Sequence, residues 1–180
     1  TTAGGAGGAL RGLFAGGTLC DEAMAIAAEV LGPVRSNIPL EPDWALPDDL
    51  VAPGHVMIDF GDDELTRGRA HPMIDQRTRL DRLARDAADP GTGVLLLDVV
   101  LGHGAHPDPA SELVPAIAQA RAVRAPEHGS LAVVVSLCGS AGDPQERDRQ
   151  AEALQGAGAH VHLSNAAATR AAVALVGGGR

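Results

Sequence analysis

Aromatic side chains are nearly missing from this 180-residue chain: 2%, with no tyrosine, one tryptophan and two phenylalanines. Platforms for stacking nucleic-acid bases therefore have little to be built from. Basic charge is scarce as well, with 14 Lys and Arg against 23 Asp and Glu and a formal net charge of −9. Such a surface repels a polyanion such as DNA, and no basic stripe offsets it. Small anions are still admissible, because glycine turns and helix N-termini bind them locally against the overall field. No apolar run approaches the roughly 18 residues that a membrane span needs. The opening tract, Thr1 to Ala9, lacks the charged segment that begins a secretory signal. The expectation is a cytoplasmic protein with neither nucleic acid nor membrane among its partners. Cysteine is rare: Cys20 and Cys138 follow no metal spacing and read as reduced, buried thiols. There is no initiator methionine, and the start is of low complexity. The chain therefore reads as part of a longer multidomain protein, with 1–9 a linker and 10–180 a single domain.

Glycine (23 residues) and alanine are abundant and suit close packing of helices on a sheet. Five short apolar segments, each leading into a helical period, organise the rest. They lie at 10–15, 55–60, 94–100, 131–137 and 160–163. The helices are expected at about 18–31, 75–88, 109–123, 144–155 and 166–176. Thr18 is placed as the first helix cap with Asp21 and Glu22 in its first turn, and Asp108, Asp143 and Asn165 as later caps. In the second helix Leu80, Leu83, Ala84 and Ala87 form the apolar face, with Arg and Asp opposite. Pro33, Pro39, Pro42, Pro47 and Pro53 make 33–54 a long loop or arm, over the sheet edge or against a neighbour. Continuous apolar strands alternating with helices imply a parallel sheet covered on both faces. The fold class is α/β: a three-layer, flavodoxin-like sandwich with a five-stranded sheet in the order 2-1-3-4-5.

Ligands of open α/β sheets bind outside the carboxyl ends of the strands, at the point where strand order reverses. Here that point lies between the first and third strands, so their two exit loops come first. Gly16, Gly17 and Thr18 offer backbone N–H groups and a helix end to an anion; an ordinary strand–helix turn reads the same way. Gly102, His103, Gly104 and His106 follow the third strand, and either histidine suits general acid–base work, anion contact or nucleophilic attack. Asp98 ends that strand and must be hydrogen-bonded to loop N–H groups or used chemically. After the second strand, Asp59, Asp62, Asp63 and Glu64 suit Mg²⁺, a substrate amine or a solvated acidic loop. Arg67, Arg69 and His71 can partner Asp59 or grip a carboxylate or phosphate. Gln145 faces the crevice as a weaker recognition candidate. His71, Asp98 and His106 are the catalytic candidates; Gly16, Gly17, Thr18, Asp59, Arg67, Arg69, Gly102, His103, Gly104 and Gln145 are expected to bind substrate or phosphate, and no metal site is assigned. His55, His128, His160 and His162 are assigned to surface or scaffold.

Several strings resemble the FdrA family within the succinyl-CoA synthetase-like superfamily. They are Leu-Arg-Gly-Leu-Phe-Ala-Gly-Gly-Thr-Leu-Cys-Asp-Glu-Ala at 10–23, Ile-Asp-Phe-Gly-Asp-Asp-Glu at 58–64, and Gly-Arg-Ala-His-Pro-Met-Ile-Asp at 68–75. The loop at 97–110 and Gly-Asp-Pro-Gln at 142–145 complete the set. The resemblance covers nearly everything after residue 9, and Gly-Arg-x-His-Pro-Met-Ile-Asp is its most specific piece.

The resemblance implies a ligase-type, flavodoxin-like domain of a multidomain protein. Gly16-Gly17-Thr18 then looks like a glycine turn aimed at phosphate, and 102–110 like a substrate or phosphate loop. Succinyl-CoA synthetases carry a phosphorylated histidine in Gly-His-Ala-Gly after the fourth strand. This chain has Gly139-Ser140-Ala141-Gly142 there, without a histidine. Ala70 and Gln76 also stand where the family pattern has proline. FdrA-like proteins are associated with allantoin and purine nitrogen catabolism, as a component of an oxamate carbamoyltransferase. The resemblance thus implies carbamoyl transfer first, with carbamoyl phosphate and oxamate as small anionic substrates. The alternatives are an acyl-CoA synthetase of the nucleotide diphosphate-forming type, acting on acyl-CoA, and a non-catalytic assembly subunit. No cofactor is expected in this domain; CoA or nucleotide would come through other domains or subunits of the same complex.

Overall fold

The computed structural model of the chain describes residues 8–124 and 129–177. Six strands form one all-parallel sheet. They are β1 (Ala9–Phe14), β2 (Val34–Arg35), β3 (His55–Asp59), β4 (Thr92–Val100), β5 (Ala132–Cys138) and β6 (His160–His162), in the order β2-β3-β1-β4-β5-β6. The helices are α1 (Gly17–Leu31), α2 (Asp63–Thr66), α3 (Arg77–Ala88), α4 (Pro109–Ala122), α5 (Arg147–Gly156) and α6 (Asn165–Gly177).

The five expected strands take the expected relative order, and the sixth is the correction. Proline forbids a central strand but not a short edge. Val34 and Arg35, directly after Pro33, pair with His55 and Val56. The segment beyond carries a single 3-10 turn at Pro42–Trp44, and Ser36 bridges to Ala45. Part of the supposed arm therefore extends the sheet.

Alternation along each strand sends side chains into two separate cores. Leu10, Phe14, Val94, Leu96 and Val134 meet α1 and α6 through Cys20, Met24, Ala168 and Ala172. Leu13, Leu95, Leu97, Val133 and Val135 meet α3, α4 and α5 through Leu83, Leu113, Ile117 and Leu154. This is the layering that continuous apolar parallel strands require. Each fully buried Leu or Ile contributes roughly 1.5–3 kcal/mol of transfer free energy.

Several helix caps, and the start of the helix after the fourth expected strand, differ from the sequence reading. Helix α1 begins at Gly17 behind an extended Gly16, no side chain caps it, and its first turn holds no acidic residue. Thr18 is exposed on that turn. The helix after the fourth expected strand starts at Arg147, not Pro144, because Pro144 and Gln145 turn ahead of Glu146, which has φ +58°. Asp143 accepts instead from the Ser140 N–H at 2.6 Å. Asp108 precedes α4 without capping it, and Gln150 accepts the Ala110 N–H at 2.8 Å in its place. At α6, Ser164 accepts the Ala167 N–H, while Asn165 donates across to Leu19 and Glu22 of α1. Ala84 is exposed, whereas Arg79 and Asp86, assigned to the polar face of α3, are buried. Of the 1–9 linker, residues 1–7 lie outside the described residues and Ala9 already belongs to β1. Among the described residues no helix is long and apolar enough to cross a membrane. Cys20 is buried, Cys138 partly so, and both are free thiols.

Candidate functional site

Strand pairing opens a gap at the carboxyl edge. β1 pairs with β4 only as far as Leu13 and Leu97, while β4 stays paired with β5 to Val100 and Cys138. On its other side β1 holds β3 to Phe14 and Asp59. The chain order reverses at this gap, so the turn after β1 and the loop after β4 leave neighbouring strands on one rim.

Asp98 fills the floor of the gap. It is fully buried, and its Oδ1 accepts from the Ala15 N–H at 2.8 Å and from Arg79 Nη1 at 2.6 Å. The Arg79 guanidinium also donates to the Asp98 carbonyl and, through Nη2, to Gln76 Oε1 at 2.6 Å. Gln76 Nε2 turns toward Glu112 Oε2 at 3.4 Å and the Pro109 carbonyl at 3.5 Å. A buried network therefore runs from the end of β1 to the start of α4. Burial pushes the Asp98 carboxyl up and the Arg79 guanidinium down, with their mutual attraction opposing both. Asp98 reaches no solvent and so touches no ligand from this position, which makes it a positioning group.

Asp59 lies above, at the end of β3, 5% exposed. Asn37 clamps its backbone from both sides, donating to the carbonyl and accepting the N–H, each at 2.9 Å. Its Oδ1 accepts the Gly61 N–H at 2.8 Å. A Cβ on Gly17 would stand 3.2 Å from its Oδ2, so the carboxylate already faces the uncapped start of α1. Burial pushes the Asp59 carboxyl up; the Gly61 N–H and His71 oppose that, while Asp62 and Asp98 add to it. His71 closes this corner: a Cβ on Gly61 would stand 2.9 Å from His71 Nε2 and 2.6 Å from the Ala15 carbonyl. Only glycine fits where three segments converge so closely.

The loop after β4 is held from behind. Gln145 Oε1 accepts the Gly102 N–H at 3.1 Å, and its Nε2 donates to the Gly102 carbonyl at 2.8 Å and the His106 carbonyl at 3.2 Å. Both amide protons are engaged by the loop, so Gln145 shapes the site and does not read a substrate in this conformation. Gly102 and Gly104 have positive φ and leave His103 exposed at the tip between them. The His106 N–H donates to the Met73 carbonyl at 2.7 Å, joining this loop to the one bearing His71. His106 Nε2 stands 3.6 Å from Glu112 Oε1. Asp108 is spent on Gln150 and Arg149.

Gly16, Gly17, Thr18, Asp59, His71 and the Gly102–His106 loop thus share the carboxyl rim. Arg67 and Arg69 lie further out, both exposed; Arg69 donates to Thr78 and lines a cleft of about 460 Å³ with Asp75 and Arg77. The Arg77 guanidinium chelates Asp75 and holds its carboxyl down to about 2. Asp62 caps α2 by accepting the Glu64 N–H. Among the described residues no three His, Cys, Asp or Glu side chains converge as a metal set. His55 is scaffold, its Nδ1 accepting the Leu10 N–H at 3.1 Å; His160 and His162 lie on the edge strand β6, and His128 lies outside the described residues.

The sequence reading missed Arg79 as the partner of Asp98 and left it on the polar face of α3, although its position carried a signal. It stands one turn before Leu83 on the inward face of α3. Gln76, Gln150 and Asn37 gave no such signal, because an amide satisfies backbone groups that only the fold brings near.

The rim geometry gains its context from comparison. The CoA-ligase family pattern matches residues 13–175. The chain belongs to the CoA-ligase family. The expected synthetase-like domain is therefore right at that level, and the matched range covers the exits of β1, β3 and β4 with the loops that follow them. The uncharacterized protein YahF of Escherichia coli (strain K12) is 41% identical over 149 residues, 83% of this chain and 29% of that protein. Of solved structures, PH0766 from Pyrococcus horikoshii OT3 aligns over 97% of this chain and 36% of its own, with a TM-score of 0.52 and 14% identity, a likeness of fold. The chain spans about a third of the length of either protein. Family membership supports the acyl-CoA synthetase alternative more than carbamoyl transfer.

Proposed function

We propose that this chain is the ligase-type domain of an acyl-CoA-forming enzyme and holds the carboxylate or phosphate end of its substrates at the carboxyl rim. The match to the CoA-ligase family across the rim elements carries this reading. The geometry supports it: an uncapped helix start, a glycine loop fixed from behind by Gln145, and two histidines on joined loops stand at one sheet edge. Asp98 and Arg79 position the turn and the loop from below. Asp59 matters for which anions bind, because an incoming negative charge near Gly17 meets its carboxylate. Protonation of Asp59 removes that opposition. CoA and nucleotide, for which this chain has only one tryptophan and two phenylalanines to stack a base, are assigned to other domains or subunits.

The test is thioester formation from CoA, a small carboxylic acid and a nucleoside triphosphate by the longer protein containing this chain. Loss of product on His71→Ala and His106→Ala, with the complex still assembled, supports the reading. Full activity in both variants removes the rim from the chemistry. Weakened assembly with unchanged specific activity favours a structural subunit.

Carbamoyl transfer is the second reading, drawn from the FdrA resemblance and favoured by one observation. The Gly139-Ser140-Ala141-Gly142 segment holds no histidine to carry a phosphoryl group. Polarising a carbamoyl carbonyl needs fixed donors and no phosphorylated residue. Carbamoyl phosphate with oxamate in the same assay separates the two.

A further inference from the structure

The two site histidines sit in matched turns. His71-Pro72-Met73 and His106-Pro107-Asp108 share the pattern His-Pro-X. In each, the ring Nδ1 accepts the backbone N–H of the residue two places on, Met73 at 3.2 Å and Asp108 at 3.1 Å. The intervening proline, with φ fixed by its ring, stiffens a turn that brings that N–H back onto the imidazole. The turns are also joined, because Met73 gives its N–H to His71 and takes the His106 N–H on its carbonyl.

A backbone N–H can only donate. The Nδ1 it meets must bear a lone pair, which leaves the proton of the neutral ring on Nε2. Each Nε2 faces outward from its turn toward a carboxylate-bearing corner: His71 beside Gly61 and Asp59, His106 beside Glu112.

We propose that the two His-Pro-X turns lock His71 and His106 as Nε2–H hydrogen-bond donors, whose partner in the loaded site is an acceptor oxygen of the substrate. A carboxylate, phosphate or carbonyl oxygen qualifies; an ammonium group does not. The substrate class rests on the ligase reading above, whereas the lock rests on geometry alone. The lock also excludes roles. For Nε2 to attack phosphorus it must first give up its proton, and the proton's other seat, Nδ1, already receives an N–H. Two N–H groups would then face each other. Neither ring is therefore the phosphoryl acceptor, and neither binds a metal through Nδ1.

The experiment is two-bond ¹H–¹⁵N correlation spectroscopy of the whole chain with ¹⁵N-labelled histidine. His71→Gln and His106→Gln assign the signals by deleting one set each. Both rings should show a single Nε2–H form, while the exposed His103 ring should show mixed tautomers. Sulfate, standing in for the anionic oxygens of a substrate, should then shift the Nε2 signals of His71 and His106 and leave Nδ1 unprotonated. An Nδ1–H form or a mixture in either ring overturns the lock. Locked rings indifferent to sulfate overturn the donor role. Neither result touches the ligase reading, which stands on the thioester assay.

Discussion

Arg79→Met removes the cation beneath the rim and leaves its partner in place. Asp98, with no exposed surface, then keeps the Ala15 N–H as its remaining donor, and Gln76 Oε1 loses its guanidinium. Deleting one member of a buried ion pair costs about 3–5 kcal/mol, because the other charge stays desolvated and uncompensated. A domain of this kind has roughly 5–15 kcal/mol in all, so the loss is large yet survivable. The pH dependence identifies the cause. Burial already raises the Asp98 carboxyl above its unfolded value, and removing Arg79 raises it further. The folded state then holds a proton that the unfolded state has released. Stability therefore falls as pH rises from the unfolded carboxylate pKa through the folded one, and is lowest above it. Urea unfolding at neutral pH and near pH 4 should show a deficit that is largest at neutral pH and shrinks in acid. Arg79→Met combined with Asp98→Asn, which keeps an acceptor for Ala15, should recover most of the loss. A deficit below about 1 kcal/mol, or one unchanged by pH, refutes the burial argument.

Asp59→Asn should raise the urea midpoint at neutral pH and not in acid. The carboxyl is held above its unfolded value, so its ionised form weakens the fold above that range, and the amide still accepts the Gly61 N–H. Gln145→Ala removes three hydrogen bonds to the Gly102–His106 loop and should cost roughly 1–3 kcal/mol, with faster amide exchange at Gly102. Gly61→Ala forces a Cβ to 2.6 Å from the Ala15 carbonyl and 2.9 Å from His71 Nε2. It should cost on the order of 1–3 kcal/mol and displace the His71 ring signals in the spectrum described above.

Apolar patterning made the layers and the order of five strands legible, because continuous runs such as 94–97 suit only a strand buried on both faces. The edge strand Val34–Arg35 was hidden by five nearby prolines, which say little about two residues that slip between them. One helix start was misplaced where a proline and an Asp cap suggested it, at Pro144, and the helix at Pro109 began as expected but without the Asp108 side-chain cap, since buried glutamines took over the capping and loop-fixing work. For the site, the rim and its two histidines were legible as loop chemistry following strands. Asp98 was legible as a carboxylate that needed partners, but not that Arg79 and Ala15 would use it up. Register decides such things, and one sequence does not display it.

The most direct measurement is a sulfate titration of the ¹⁵N-labelled chain, following backbone amides. If the exits of β1 and β4 make one pocket, the amides of Gly16–Thr18 and of Gly102–Gly104 shift together along a single saturation curve. That curve should tighten as pH falls and Asp59 takes up a proton. Shifts confined to one loop, or two curves with unrelated midpoints, would contradict a shared site.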